Sequence, residues 1–309
     1  MTIQIILLIV FINCLVFSQS DHSVYNTDPG FAKNESEYLQ NPSPDLEKIN
    51  DPNWHEFVTN TPLNIYGAMS NSFTSDNLPV LGYLSALTTA LILTDGQTHA
   101  TIKTLFRNNK SLNNYSIYAL DIGDGKINFG IGALFTLYGV TCSDNLAFRT
   151  GLQCNEALIT NGITVQLLKR ITGRESPLSA SSKSGTWRFL TNIKKYQKNQ
   201  PKYYSFPSGY LSTAMTTITV IADDYPGAIY IKPIGYSLTG LLGISLVFKD
   251  MHWFSDFPLA YALGYEFGKI ITSHNNSSKE GNPTSHNVNI SFIPVFLTNG
   301  GGINMLMSF

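Results

Sequence analysis

Ser245-Leu246-Val247-Phe248-Lys249-Asp250-Met251-His252-Trp253-Phe254-Ser255-Asp256 gives the first clue to the architecture. It places an aspartate four residues after a histidine, between two apolar segments, 228–248 and 256–272. Two earlier stretches have the same character. Ser205-Phe206-Pro207-Ser208-Gly209-Tyr210 opens the segment 208–222. Lys169-Arg170-Ile171-Thr172-Gly173-Arg174-Glu175-Ser176-Pro177 closes the segment 144–171. Lys169 and Arg170 before Gly173 form the end of a helix: cations complement the C-terminal dipole, and glycine adopts the left-handed cap.

Outward from these stretches the text stays helical. Leu78–Thr94 is apolar, Asp95-Gly96-Gln97 reads as a break, and Thr98–Phe106 reads as a short second helix. Ile127–Tyr138 follows, with Gly130 and Gly132 allowing close packing. The expectation is an all-α bundle of about six helices. The segments are mostly shorter than the ~20 apolar residues of a membrane span, and they are interrupted by Lys232-Pro233, Glu266 and Lys269. They read as buried helices of a soluble or peripheral domain. At the C-terminus, Asn287–Leu297 and Ile303–Phe309 alternate around Thr298-Asn299-Gly300-Gly301-Gly302, the pattern of a small β-hairpin packed on the bundle.

The domain plan is therefore a signal peptide at 1–20, a polar extension at 21–75, a helical domain at 76–273, and a linker with hairpin at 274–309. Ile5–Phe17 is a short apolar run followed by Ser18-Gln19-Ser20, which suits export, although no Lys or Arg precedes it; an uncleaved anchor is the alternative. Cys14 lies in no lipobox. The extension holds one expected short helix near Trp54–Phe57. Of 309 residues, 43% are hydrophobic and 13% charged, which permits a large core. A net charge of -1 gives no electrostatic case for nucleic acid. Cys142 and Cys154 sit roughly 15 Å apart on one expected helix, too far to bridge, and read as free thiols. His22, His55, His99, His274 and His286 form no spaced cluster, so no metal site and no cofactor is expected.

Together the three stretches resemble the motifs of the type 2 phosphatidic acid phosphatase and vanadium haloperoxidase superfamily. That family carries Lys, six residues, Arg-Pro; then Pro-Ser-Gly-His; then Ser-Arg, five residues, His, three residues, Asp. The resemblance covers roughly 75–273 and implies that family's helical fold. It also implies roles. His252 would be the nucleophile that takes the phosphoryl group, and Asp256 the carboxylate that orients it. Lys169, the Ser208 hydroxyl and the Gly209 amide would hold phosphate oxygens. Three positions depart from the pattern: Ser176 and Leu246 stand where the family has arginines, and Tyr210 where it has the acid histidine. Tyr210 retains a proton at neutral pH and is the candidate acid. Two lost arginines cost roughly 3–6 kcal/mol, or about 10² to 10⁴ in rate. Arg174 and Lys249 are the nearby cations, and both read as solvated charges.

The expected function is an exported, phosphatase-like protein with a degenerate phosphate site, weak or inactive in turnover. It would bind phosphate, a phosphomonoester or a phospholipid headgroup, with peripheral membrane contact. The alternatives are an active phosphomonoesterase or lipid phosphatase with a rebuilt cage around His252, and a structural envelope protein.

Overall fold

A computed structural model describes residues 61–75, 77–107, 110–277, 289–297 and 300–308. The expected export signal, the Trp54–Phe57 helix, and the linker at 278–288 lie outside these residues. From the N-terminal side the described helices are α1 (Thr61–Ser72), α2 (Leu78–Arg107), α3 (Lys110–Asp121), α4 (Gly125–Cys142), α5 (Asn145–Thr172), α6 (Ile193–Lys198), α7 (Gly209–Asp224), α8 (Ile231–Phe248) and α9 (Phe257–Ser277). The expected all-α bundle is present. Three short helices, α1, α3 and α6, fall outside the expected helical segments.

α7 is the central element. Leu211, Ala214, Met215, Thr216, Thr217, Thr219 and Val220 are all buried, so most of its circumference faces protein. Leu211 and Ala214 join Ile102, Leu242, Leu246, Val247, Phe257 and Ala260 in one apolar cluster. Val220 joins Cys154, Ala157 and Ile271 in a second. The buried threonines add no unpaired hydroxyls, because Thr216 and Thr219 donate to the carbonyls of Ser212 and Met215 one turn back. α9 lies close against this helix at Gly264, where an added Cβ would come within 2.4 Å of the Ser212 carbonyl oxygen.

α5 carries the first motif at its end. The Asp144 side chain accepts from Ala147 N at its start, and Gly173 closes it with φ 53. α4 and α5 pack so closely that an added Cβ on Gly151 would meet Gly132 O at 2.5 Å. Cys142 is exposed and Cys154 buried, and both are free.

Three expectations need correction. The break at Asp95-Gly96-Gln97 is absent: α2 runs through it for 30 residues. Asp95 is committed to distant partners instead of a local turn, and Gly96 lies against Lys183, whose carbonyl oxygen would be 3.0 Å from an added Cβ. The apolar text of α2 is not interior either. Its buried residues are Asp95 and Ile102, whereas Leu78, Val80, Tyr83 and Leu93 are exposed, Leu93 at 81%. Finally, a hairpin packed on the bundle is not supported. Residues 274–309 form a separate unit, in which Asn289–Leu297 pairs antiparallel with Gly300–Ser308.

Candidate active site

Three chain segments converge behind α7. The first runs from the end of α5 through Arg174 to Ser176. The second is Ser205–Ser208, leading into α7. The third is the turn after α8, Lys249–Asp256. Backbone bonds tie them together: Ser205 N donates to Arg174 O at 3.1 Å, and Ser208 N to Asp256 O at 3.1 Å. Trp253 Nε1 donates to Glu175 O at 2.8 Å.

His252 is fully buried at the junction. Its Nδ1 lies 2.7 Å from the Ser205 carbonyl oxygen and 3.4 Å from Asp256 Oδ2. A carbonyl can only accept, so Nδ1 carries the hydrogen and the neutral ring keeps its lone pair on Nε2. Nε2 is buried and has no hydrogen-bond partner among the described residues. Burial pushes the His252 pKa down, the Asp256 hydrogen bond opposes this, and the Lys169 charge adds to the lowering. An imidazole that is neutral, oriented and free at Nε2 is what a nitrogen nucleophile requires.

Asp256 is also fully buried. It accepts from Ser205 Oγ at 2.5 Å and Trp253 N at 2.8 Å, and it pairs with Arg174 Nη1. Burial alone would raise its pKa. The Arg174 guanidinium, with His252 and Ser205, overcomes this and holds the carboxyl below its usual range. Asp256 is thus ionised beside His252, ready to stabilise positive charge on the ring.

Lys169 ends α5 inside the protein. Its Nζ lies over the Tyr204 ring, 5.2 Å from the centroid, and would be 3.5 Å from an added Cβ on Gly209. The ammonium therefore sits beside the first turn of α7, where free backbone N–H groups and the helix dipole favour an anion. Ser208 caps that helix, its Oγ accepting from Leu211 N at 3.5 Å. Burial lowers the Lys169 pKa to about 8, against an upward pull from Asp256. Gly209, Ser208, Lys169, His252 and Asp256 thus fall in one region, as their motif spacing suggested.

The departing positions are resolved differently. Leu246 is fully buried within the apolar cluster of α2, α7, α8 and α9. Tyr210 packs against the same cluster. Burial raises its pKa, as does the charge of Asp124. The tyrosine whose ring stands edge-on to His252, with centroids 6.1 Å apart, is Tyr204, which motif reading passed over. Ser176 is buried, with its Oγ unpartnered among the described residues.

Of the two nearby cations, Arg174 is not the solvated charge expected. Arg174 is fully buried and contacts Asp256, Ser255 Oγ at 2.7 Å, Asp95 Oδ2 at 2.6 Å and Ser184 O at 2.8 Å. Two carboxylates hold it, so it is no free replacement for a missing arginine. Lys249 turns to α3, where it donates to Asn113 Oδ1 at 3.1 Å. Motif reading also missed Ser205 and Asp95. Both belong to bonds between segments remote in sequence, and local patterning carries no such signal.

The model of the PAP2 superfamily matches residues 150–278, the span that contains all three motifs. Among solved structures, the chain is similar to a transmembrane PAP2 type phosphatidylglycerolphosphate phosphatase from Bacillus subtilis. The identity is 16%, the TM-score 0.39, and the match covers 74% of this chain and 100% of that one. No curated protein matches. The match over 150–278 encloses all three motifs and the His252–Asp256 pair, and it supports membership of the PAP2 superfamily.

Proposed function

We propose that the protein binds the phosphate group of a phosphomonoester or phospholipid headgroup and turns it over weakly or not at all. The observation that carries this is the buried His252, its Nδ1–H fixed on the Ser205 carbonyl and its Nε2 unpartnered among the described residues. Lys169 beside the first turn of α7 supplies the positive charge for the anion. In a productive encounter, Nε2 attacks phosphorus, the bond to the leaving oxygen breaks, and the imidazolium that forms is stabilised by Asp256. Water then cleaves the phosphohistidine.

Weakness follows from what surrounds that nucleophile. Lys169 is the only one of the family's three cage cations that the chain retains. Leu246 and Tyr210 have been drawn into an apolar cluster, and Arg174 is held by two carboxylates. Charge developing on the phosphoryl oxygens then meets one ammonium and backbone amides instead of three cations.

A second reading, a working phosphatase, is favoured by the intact nucleophile geometry alone. Turnover of a generic phosphomonoester and of phosphatidic acid, compared with His252→Ala, separates the two. Turnover that disappears in the variant establishes a working enzyme. Binding of inorganic phosphate that Lys169→Met abolishes, with no turnover above His252→Ala, supports the binder. No binding and no turnover in folded protein would leave the structural envelope role.

The setting is a membrane. α2 and α8 are long and apolar enough to cross one, and Leu134, Leu137, Tyr138 and Val140 on α4 and Ile234, Leu238 and Leu241 on α8 are exposed. So much outward apolar surface suits lipid better than water. Export by the 1–20 segment completes the reading and is tested by the N-terminal sequence of the mature chain.

A further inference from the structure

α2 is mostly exposed, yet it sends one carboxylate into the rear of the site. Asp95 is only 1% exposed. It accepts from Ser255 Oγ at 2.5 Å, from Ser255 N at 3.1 Å and from Arg174 Nη2 at 2.6 Å. The same guanidinium reaches Asp256 through Nη1, and Asp256 faces His252 Nδ1. Asp95, Arg174, Asp256 and His252 form a continuous buried chain of contacts. It begins outside the matched span 150–278 and ends at the reactive ring.

The charges make this chain more than a staple. A buried guanidinium shared by two carboxylates gives each less than it would give one. Were Asp95 neutral, Arg174 would pair with Asp256 alone, and Asp256 would hold the His252 imidazolium less strongly. Through Ser255, Asp95 also fixes the backbone immediately before Asp256.

We propose that Asp95 is a positioning residue for His252, acting through Arg174 to set how much of the Asp256 charge is available to the imidazole. This rests on the reading of His252 as the reactive group. The other groups facing that ring are Lys169 from α5 and Tyr204 from the loop before α7, and neither changes in the variants below.

The test is a titration of the full chain in detergent micelles, with 15N-labelled histidine and the His252 signals assigned by their loss in His252→Gln. In Asp95→Asn the His252 midpoint should fall by roughly half a pH unit or more. In the double variant Asp95→Asn with Arg174→Gln, which removes the carboxylate together with its cation, it should rise above the parent value. A midpoint unchanged in both variants, even with a lower melting temperature, would make Asp95 a structural staple and overturn the proposal. If the single variant does not fold, the double variant decides alone, and loss of fold in both counts against the proposal. Addition of inorganic phosphate to the parent chain tests the site separately: His252 signals that do not respond to phosphate count against the binding reading without touching the role of Asp95.

Discussion

His252 Nδ1 stands 2.7 Å from the carbonyl oxygen of Ser205, closer than it stands to Asp256. A main-chain carbonyl, which cannot be mutated away or protonated in this range, therefore fixes the ring tautomer. Asp256→Asn should leave the hydrogen on Nδ1 while lowering the His252 pKa, because the charge favouring imidazolium is gone. The 15N shifts of the two ring nitrogens report the tautomer, and their titration reports the pKa. The same variant leaves Arg174 half-unpaired in the interior and should cost about 3–5 kcal/mol of stability.

Phosphate binding should weaken above pH ~8. Lys169 must be an ammonium to hold an anion, and its pKa in the folded protein is about 8. Affinity for inorganic phosphate, corrected for the ionisation of phosphate itself, should be flat below that value and fall above it. Calorimetry between pH 6 and 9.5 measures this. The linkage to stability has the opposite sense. The folded value lies below the ordinary 10.5, so the unfolded chain binds more protons between the two. Lys169 therefore makes the unliganded fold more stable as pH rises from about 8 to 10.5.

Restoring the family pattern at one position should fail. Leu246 is fully buried among Ile102, Leu211 and Leu242. Leu246→Arg would place a cation there with no carboxylate in the cluster to meet it. A loss of about 3–5 kcal/mol is expected, with no gain in phosphate turnover. Denaturant melts and the phosphatase assay check the two halves separately.

Glu175 anchors the loop that carries the first motif. Its carboxylate accepts from Ser181 N, Ser181 Oγ and Thr186 N and pairs with Arg188 Nη1 at 2.6 Å. Burial alone would raise its pKa, but these partners outweigh that and bring it from 4.5 to about 2. Because the folded value is depressed, its contribution is complete above pH 4.5 and disappears as pH falls toward 2. Glu175→Gln should cost about 1.5–3 kcal/mol at neutral pH and flatten the acid limb of the stability profile.

Close helix approach should be visible in a pair of glycine variants. Gly264→Ala drives a Cβ to 2.4 Å from the Ser212 carbonyl oxygen of α7, and separating α7 from α9 should cost about 1–3 kcal/mol. Gly162, on α5, has nothing within 4 Å of an added Cβ. Gly162→Ala should stabilise the protein by up to ~1 kcal/mol through helix propensity. Thermal melts of the two variants give the comparison.

Much of the fold was legible because helix ends announce themselves locally. The expected segments 144–171 and 208–222 start within a residue of α5 and α7, and Gly173 as terminator ends α5 where expected. The motif spacings likewise gathered Lys169, Ser208, Gly209, His252 and Asp256. Local reading failed where a residue serves a distant partner. Asp95-Gly96 has turn composition, yet it continues a helix, because its carboxylate belongs to Arg174 and Ser255 and its glycine to the Lys183 backbone. Arg174 has the look of a free surface cation and is enclosed by two carboxylates. Residue identity alone sets which chemical groups enter the site and which family arginines are missing. The packing of the folded chain sets what each group is free to do: His252 Nε2 is left without a partner among the described residues, while Arg174 turns back on Asp95 and Asp256, because a buried charge goes where its counter-charge already lies.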